Sequence, residues 1–427
     1  MIDKIFQTAD KITDESEVLI INSESISADL KRENVAIGST CKGSGLIIRV
    51  IKDGRIGVSS TDNPENWEKC LQAAVDSSKF ADKISWEGLP EPKKIDLTPQ
   101  AFDPRIIPGP ELIQKLLNQL LEGSQKYPAN ITSGSVSISI SNHVLENNHG
   151  LSYSSKATQI HAGIELIAGQ STGYESDAAW NLDSIDPVKI GEDAAFFAAK
   201  GQNGIDLKTG HYDIVFSPIA FAQLLEAAVI PAISGRNVHT GRSFFAGKIG
   251  EKVAKDTISI IDDPFDPRGL ANCAYDGEGT PVQNNAFITD GELTSYAYDL
   301  RTAYRYDQEP TASAVRSGQS GAPSIGSHNL TIQTNPESTR DDKAIYVHSL
   351  IGAHTANPMS GDFSVELSSP FFVQEGSYQD PIHSGMISGN IFNLLHEIDA
   401  CSHETRTLGS LILPEIRISG LSVIGRG

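Results

Sequence analysis

Gly352 to Ser364 reads Gly-Ala-His-Thr-Ala-Asn-Pro-Met-Ser-Gly-Asp-Phe-Ser, lying between two strand-like runs, Ala344 to Ile351 and Phe363 to Val373. Irregular backbone framed by rigid strands is where binding residues concentrate. Its amides and carbonyls lack ladder partners, so a ligand's backbone could satisfy them. His354 and Asp362 have the residue types of an acid–base pair. With no nucleophile or metal for such a pair to serve, a structural or ligand-contact role is the better reading.

Two other patterns invite chemistry. Gly169-Gln-Ser-Thr-Gly173 matches G-x-S-x-G, but a nucleophile elbow needs a strand before the serine and a packed helix after it. Tyr174 to Ser184 is polar and aperiodic, so the helix is missing and a Gly/Ser turn is expected. His396, Glu397, Cys401 and His403 are metal-ligand types, yet H-E-x-x-H spacing is absent. His396 also falls away from the apolar face Ile391, Leu394, Leu395 and Ile398 of a helix predicted over 390–399, which predicts surface histidines beside a semi-buried thiol.

These stretches need elements to hold them. The opening segment predicts a short helix over 3–11, strands at 18–26, 35–38 and 45–51, a hairpin at Asp53-Gly54, and a helix whose apolar positions are Trp67, Leu71, Ala74 and Val75. Prolines at 90, 92, 99, 104, 108 and 110 exclude regular helix and central strand, so 88–110 is an extended connector. A helix over 111–122, strands at 135–140, 150–155 and 160–168, and a helix over 188–200 follow. Alternation of Val136, Ile138 and Ile140 with serines marks a half-exposed antiparallel sheet.

Gly201 to Gly210 is rich in glycine and turn residues and marks a boundary. The pattern beyond it is strand-dominated: 211–216, 285–288, 293–298, 329–334, 344–349 and 371–374. A helix starts at Ser217-Pro218, with Phe221, Leu224, Leu225, Ala228 and Val229 on one face and Pro231 to end or kink it. A short helix over 300–306 bears Arg301 and Arg305, and 316–328 is a Gly/Ser loop long enough for a lid. The fold class is therefore α+β: an N-terminal mixed α/β domain over 1–207, then a β-rich C-terminal domain over 208–427 with a large, mainly antiparallel sheet.

Composition narrows the function. Lys plus Arg (34) against Asp plus Glu (54) give a net charge of −20 over 427 residues, with no basic run to track phosphates. Direct nucleic-acid binding is not expected. No apolar run approaches the roughly 20 residues that span a bilayer, and no leader pattern opens the chain, so a cytoplasmic protein without membrane contact is expected. The four cysteines lie far apart, with no C-x-x-C pair.

The order of motifs in the second half resembles one family. Gly241-Arg, Phe245-Ala-Gly-Lys-Ile-Gly-Glu, Ile260-Ile-Asp-Asp-Pro, Asp276-Gly-Glu-Gly-Thr-Pro, Ala286-Phe-Ile-Thr-Asp-Gly-Glu, Glu309-Pro-Thr-Ala-Ser-Ala, Gly361-Asp-Phe-Ser and Pro414-Glu-Ile-Arg-Ile-Ser-Gly are similar to the TldD/TldE (PmbA) family, with Gly43-Ser-Gly-Leu before them. That family is known for a metalloprotease complex, historically called a modulator of DNA gyrase. In its catalytic TldD-type subunit a helix carries H-E-x-x-x-H after a Leu-Leu pair, two zinc-binding histidines and a water-activating glutamate. Here Leu224-Leu225 precedes Glu226-Ala-Ala-Val-Ile-Pro231, so Glu226, Ala227 and Pro231 occupy those three positions. The Cys-Gly-Lys segment of catalytic subunits is also absent, with Leu408-Gly-Ser-Leu in its region.

The resemblance thus implies the metal-free TldE/PmbA type: no catalytic residue, metal or cofactor of its own, and a TldD-like zinc-bearing partner subunit. Together the two would degrade unfolded or small peptides, a peptide binding as an added strand. By this reading His354, Thr355, Asn357, Gly361, Asp362, Phe363 and Ser364 contact the peptide backbone and shape its chamber. Glu226 is left without an assigned role. The alternative is a stand-alone homodimer that captures peptides, or acts as a scaffold, without hydrolysing them.

Overall fold

The structure, a computed structural model, describes residues 1–95, 98–316 and 321–425. Its first sheet has six strands in the order β3-β2-β1-β4-β5-β6, formed by β1 (Glu15–Lys31), β2 (Asn34–Lys52), β3 (Arg55–Thr61), β4 (Asn130–Asn147), β5 (Ser152–Ala168) and β6 (Ser171–Ala179). Every pairing in it is antiparallel. Helices α1 (Ile2–Ala9) and α2 (Trp67–Ser78) bury Ile5, Ala9, Leu71 and Val75 against Val18, Leu46, Ile48 and Val50. Helices α3 (Pro110–Ser124) and α4 (Pro187–Lys200) cover the other half, over Val136, Ile138, Ile160 and Ile164. Alternation along β4 puts Val136 and Ile138 inward and the serines outward. At the α3–α4 crossing Gly123 and Gly191 admit no side chain: a Cβ on Gly123 would lie 1.9 Å from the Val188 carbonyl oxygen, so the helices pack backbone to backbone.

The strands are longer than expected from the sequence. Residues 35–38 and 45–51 belong to one strand, as do 150–155 and 160–168 in large part. Gly43 and Gly45 pair in register with Ser23 and Ile21, so they do not break β2. Of the aperiodic stretch after Gly173, residues 174–179 belong to an edge strand, β6, and residues 182–184 form a short 3-10 turn.

The second sheet has eleven strands: β7 (Gly210–Phe216), β8 (Ser259–Asp262), β9 (Asn285–Thr289), β10 (Glu292–Leu293), then β13 (Leu330–Gln333), β14 (Ala344–Ile351), β15 (Asp362–Gln374), β16 (Ser377–Pro381), β17 (Met386–Asn390), β18 (Ile398–Leu408) and β19 (Leu411–Ile424). The short β11 (Ala314–Arg316) and β12 (Pro323–Ile325) pair separately. Because β19 pairs with β7 as well as β17, the strands β19-β17-β15-β14-β7 close into a ring. The sheet is mainly antiparallel, with parallel pairs β13–β19 and β14–β7. Helices α5 (Pro218–Leu224), α6 (Ile230–Ile233), α7 (Gly235–His239), α8 (Leu300–Arg305) and α9 (Ile391–His396) pack on it, and one apolar core runs through Phe216, Phe221, Leu225, Phe287, Phe363, Leu395 and Ile416.

Two expected elements are shorter. The strand expected over 293–298 stops at Leu293, and Tyr296 instead points its hydroxyl at the Phe245 carbonyl, 2.5 Å away. The helix expected over 390–399 ends at His396, because Ile398 enters β18 opposite Ile418. Of the proposed lid over 316–328, residues 317–320 lie outside the described residues. Among the described residues no helix is long and apolar enough to cross a membrane.

Buried charge joins the first sheet to the second half of the chain. Arg49 of β2 donates to Glu17 of β1 at 2.6 Å and to Glu278 of the second half, and Arg316 also donates to Glu17. Glu278 accepts from the Leu300 amide at 2.7 Å. Burial pulls the Arg49 guanidinium down, but Glu17 and Glu278 override it and hold the group charged. Burial pushes the Glu278 carboxyl up to about 7 against Arg49, with Asp299 and Asp276 adding to the rise.

Candidate functional site

The 352–364 stretch connects β14 to β15, which are antiparallel neighbours. Gly352 leaves β14 with φ +92°, a short 3-10 turn follows over 353–355, and the Thr355 hydroxyl donates to the Gly352 carbonyl at 2.7 Å. Asn357 then organises the turn. Its side-chain oxygen accepts from the Met359 and Ser360 amides at 2.9 and 3.2 Å, and its backbone N–H donates to the Asp362 carbonyl. An asparagine closing a turn on its own backbone suits this use.

Asn390 fastens the turn to α9. Its carboxamide nitrogen donates to the Ser360 carbonyl at 2.6 Å and to Asp362 Oδ1 at 2.9 Å, while its oxygen caps α9 through the Phe392 and Asn393 amides. The Ser360 hydroxyl, then the Asn390 amide, hold the Asp362 carboxyl below the usual carboxylate range. Gly361 adopts φ +81°, and a Cβ there would meet the Phe392 ring at 2.5 Å. Sequence reasoning placed no role on Asn390, although an asparagine directly before an apolar run is a cap signal.

The structure divides the expected contact residues. His354, Thr355, Asn357, Asp362 and Ser364 are exposed, whereas Gly361 and Phe363 are buried. Asp362 bonds to Ser360 and Asn390; His354 is not among its hydrogen-bond partners. The edge of β15 is partly open here: β17 pairs it from Asp362 to Glu366 on one side, while β14 reaches only to Ile351 opposite Glu366 on the other.

The helix at the family's metal-motif position packs beside this loop. Ser217 caps it, accepting from the Ala220 amide at 3.1 Å and donating to the His348 carbonyl. It is α-helical over α5, widens to a π turn over Leu225–Val229, and resumes in α6. Pro231 supplies no N–H and its ring crowds the carbonyl four residues back, and the Ile230 amide reaches five residues back, to Leu225. The π turn touches both the 353–355 turn and α9. Glu226 sits on it, exposed, with its carboxyl pushed up by partial burial and no hydrogen-bond or ion-pair partner among the described residues.

The remaining candidates are dispersed. Ser171 opens β6 after a turn at Gly169, its hydroxyl 3.4 Å from the Phe197 carbonyl, and a strand follows it. His396 ends α9, Cys401 is buried in β18 with its thiol pushed up to about 12 by burial, and His403 is exposed. Arg305 pairs with Asp82 at 2.7 Å.

Comparison with known proteins covers nearly the whole chain. Models for PmbA/TldA metallopeptidase domain 1, central domain and C-terminal domain match residues 16–78, 102–201 and 209–425. This chain belongs to the PmbA/TldD family. It is 31% identical to an uncharacterized protein of Methanocaldococcus jannaschii, over 98% of this chain and 99% of that one. It is 25% identical to the Escherichia coli O157:H7 metalloprotease PmbA, over 96% and 93% of the two chains. Among solved structures, TldE from Thermococcus kodakarensis superposes with TM-score 0.91 at 27% identity, covering 99% of this chain and all 100% of that one. A putative modulator of DNA gyrase from Thermotoga maritima has the same fold, with TM-score 0.88 at 24% identity over 99% and 98% of the chains.

The PmbA/TldD family name implies a metal, and the residues at the motif positions do not fit one. Glu226 offers a single carboxylate, Ala227 and Pro231 offer no donor atom, and a catalytic zinc needs three protein ligands. Among the described residues no group of three or more His, Cys, Asp or Glu is placed to share an ion.

Proposed function

We propose that this PmbA/TldD-family chain is the non-catalytic, TldE-like subunit of a two-component metallopeptidase, acting with a zinc-bearing TldD-like partner on unfolded or small peptides in the cytoplasm. The observation that carries the reading is the π turn with Glu226, Ala227 and Pro231 where the catalytic relatives' motif would stand. What the chain itself contributes is a surface. Past the end of β14 the backbone of Phe363 to Val365 is free to take an added strand, and main-chain pairing gives affinity with little sequence preference. Asp362 and Ser364 present polar side chains at that edge, His354, Thr355 and Asn357 line its approach, and the buried Gly361 and Phe363 set its shape.

The test is zinc content and casein hydrolysis of the purified chain, alone and mixed with the TldD-like protein of the same organism. No zinc and no hydrolysis alone, with hydrolysis appearing or rising on mixing, supports the proposal. Stoichiometric zinc or chelator-sensitive hydrolysis by the isolated chain overturns it. Binding of peptides by a homodimer that does not respond to the partner would favour the stand-alone alternative.

A further inference from the structure

No lysine or arginine occurs between Lys343 and Arg406, a stretch that supplies β14 to β17 and α9. Asp362 and Glu366 lie in it, both exposed. They share one face of β15, because side chains alternate along a strand and Phe363, Val365 and Leu367 turn into the core. Asp362 is held by Ser360 and Asn390. The Glu366 carboxylate has no hydrogen-bond or ion-pair partner among the described residues.

Register sets what surrounds Glu366. It stands opposite Ile351 of β14 on one side and Met386 of β17 on the other, and Met386 stands opposite Ile424 of β19. Paired residues share a face of the sheet, and Ile351, Met386 and Ile424 are 57%, 43% and 52% exposed. One carboxylate without a counter-charge thus lies in a row of exposed apolar side chains, the kind of patch that marks an interaction surface.

A strand added in line with β14 beyond Ile351 continues the same antiparallel register along β15. Its residues opposite Phe363 and Val365 face the core, and its residue opposite Ser364 faces outward. The diagonal neighbours of that outward residue on β15 are Glu366 and Asp362, about 7–8 Å away and within reach of a long side chain. Along the line of β14, its outward neighbour is Ile351.

On the reading of this edge as a peptide site, we propose that it selects peptides with lysine or arginine at the position opposite Ser364, the methylene stem lying along Ile351 and the cation between Glu366 and Asp362. Both side chains join an apolar stem to a charged head, and the stem covers apolar surface while the head stays at the carboxylates. A glutamate there meets two like charges. A leucine covers Ile351 but leaves Glu366 without a partner. Main-chain pairing along the rest of the strand is indifferent to sequence, so the preference belongs to this one position.

Fluorescence anisotropy of the full-length chain with labelled short serine–threonine peptides, carrying lysine, arginine, leucine or glutamate at the centre, tests the selection. The lysine and arginine guests should bind about two- to fivefold tighter than leucine, the range of exposed charge pairs. Glutamate should bind weakest, and the gap should narrow as salt is raised. Glu366→Lys should abolish the preference and bring the glutamate guest above the lysine one. Ile351→Ser should weaken the lysine and leucine guests together, since both use the apolar contact. Because a chain of net charge −20 attracts any cation, Glu375→Lys is the control. It makes the same charge change at an exposed position just past the other end of β15 and should leave the lysine preference in place.

Equal affinity for the lysine, leucine and glutamate guests overturns the selection and leaves the peptide reading standing. So does a lysine preference that survives Glu366→Lys, or one that Glu375→Lys removes equally well. No binding of any guest overturns the peptide reading of the edge, and the selection with it.

Discussion

Gly361 sits where two constraints meet, a left-handed backbone at φ +81° and the Phe392 ring 2.5 Å from where a Cβ would stand. Gly361→Ala combines backbone strain with overpacking and should cost roughly 2–4 kcal/mol, read by urea denaturation. Its neighbours separate shape from contact. Phe363 belongs to the apolar core, and Phe363→Ala should cost roughly 3–5 kcal/mol whatever the chain binds. Ser364 is exposed, so Ser364→Lys should leave stability within about 0.5 kcal/mol while weakening peptide binding measured by fluorescence anisotropy. Unchanged peptide affinity in that variant would remove this edge from the binding surface. The depressed Asp362 pKa means its contribution is present above the unfolded carboxylate range and is lost only as pH falls through the lower, folded value. Peptide binding through this loop should therefore be unaffected by Asp362 titration at neutral pH.

Between elements, one side chain connects the loop to α9, because Asn390 both caps the helix and donates to Ser360 and Asp362. Asn390→Ala should lower stability by roughly 1–3 kcal/mol through the lost cap and an unpaired carbonyl. Asn390→Asp keeps the cap but sets a second carboxylate against Asp362. Its deficit should be largest at neutral pH and shrink toward pH 4, a trend that thermal melts across that range would reveal. Period and caps made most elements legible in the sequence: Ser217-Pro218 opening a helix, the Phe221 to Val229 face, the strands on either side of 352–364. Strand lengths were not legible, because Gly43 and Gly45 look like breakers until their partners in β1 are known. The same limit hid the contact between His328 and Asp262, whose separate segments are brought together by the β8–β13 pairing. Of the candidate loop, the sequence showed its irregularity and its frame. It could not show that Gly361 and Phe363 turn inward, which depends on α9 packing beneath them. Nor does local pattern predict the π turn, since Pro231 fits an ended helix as well as a widened one.

At the scale of the molecule, the first sheet meets the second half of the chain across buried charge. Arg49 lies between Glu17 of its own sheet and Glu278 of the other half, with Arg316 reaching back to Glu17. Burying ions is expensive, and removing one member leaves the others uncompensated, so Arg49→Met should cost roughly 3–5 kcal/mol. Glu278 gives this joint a pH dependence. Its folded pKa is raised to about 7 by burial, above the unfolded carboxylate value, so the stability it confers is fully present below the unfolded pKa and lost as pH rises through the folded one. Between pH 5 and 7 the unfolded chain binds fewer protons at this position than the folded chain, and the slope is at most about 1.4 kcal/mol per pH unit. Glu278→Gln keeps a neutral, hydrogen-bonding group in the same space. The variant should lose less stability than the wild type as pH rises from 5 to 7, as followed by urea denaturation at each pH. Parallel curves for the two proteins would mean that Glu278 stays ionised throughout, with Arg49 outweighing burial, and the joint would then be a permanent ion pair and not a pH-sensitive one.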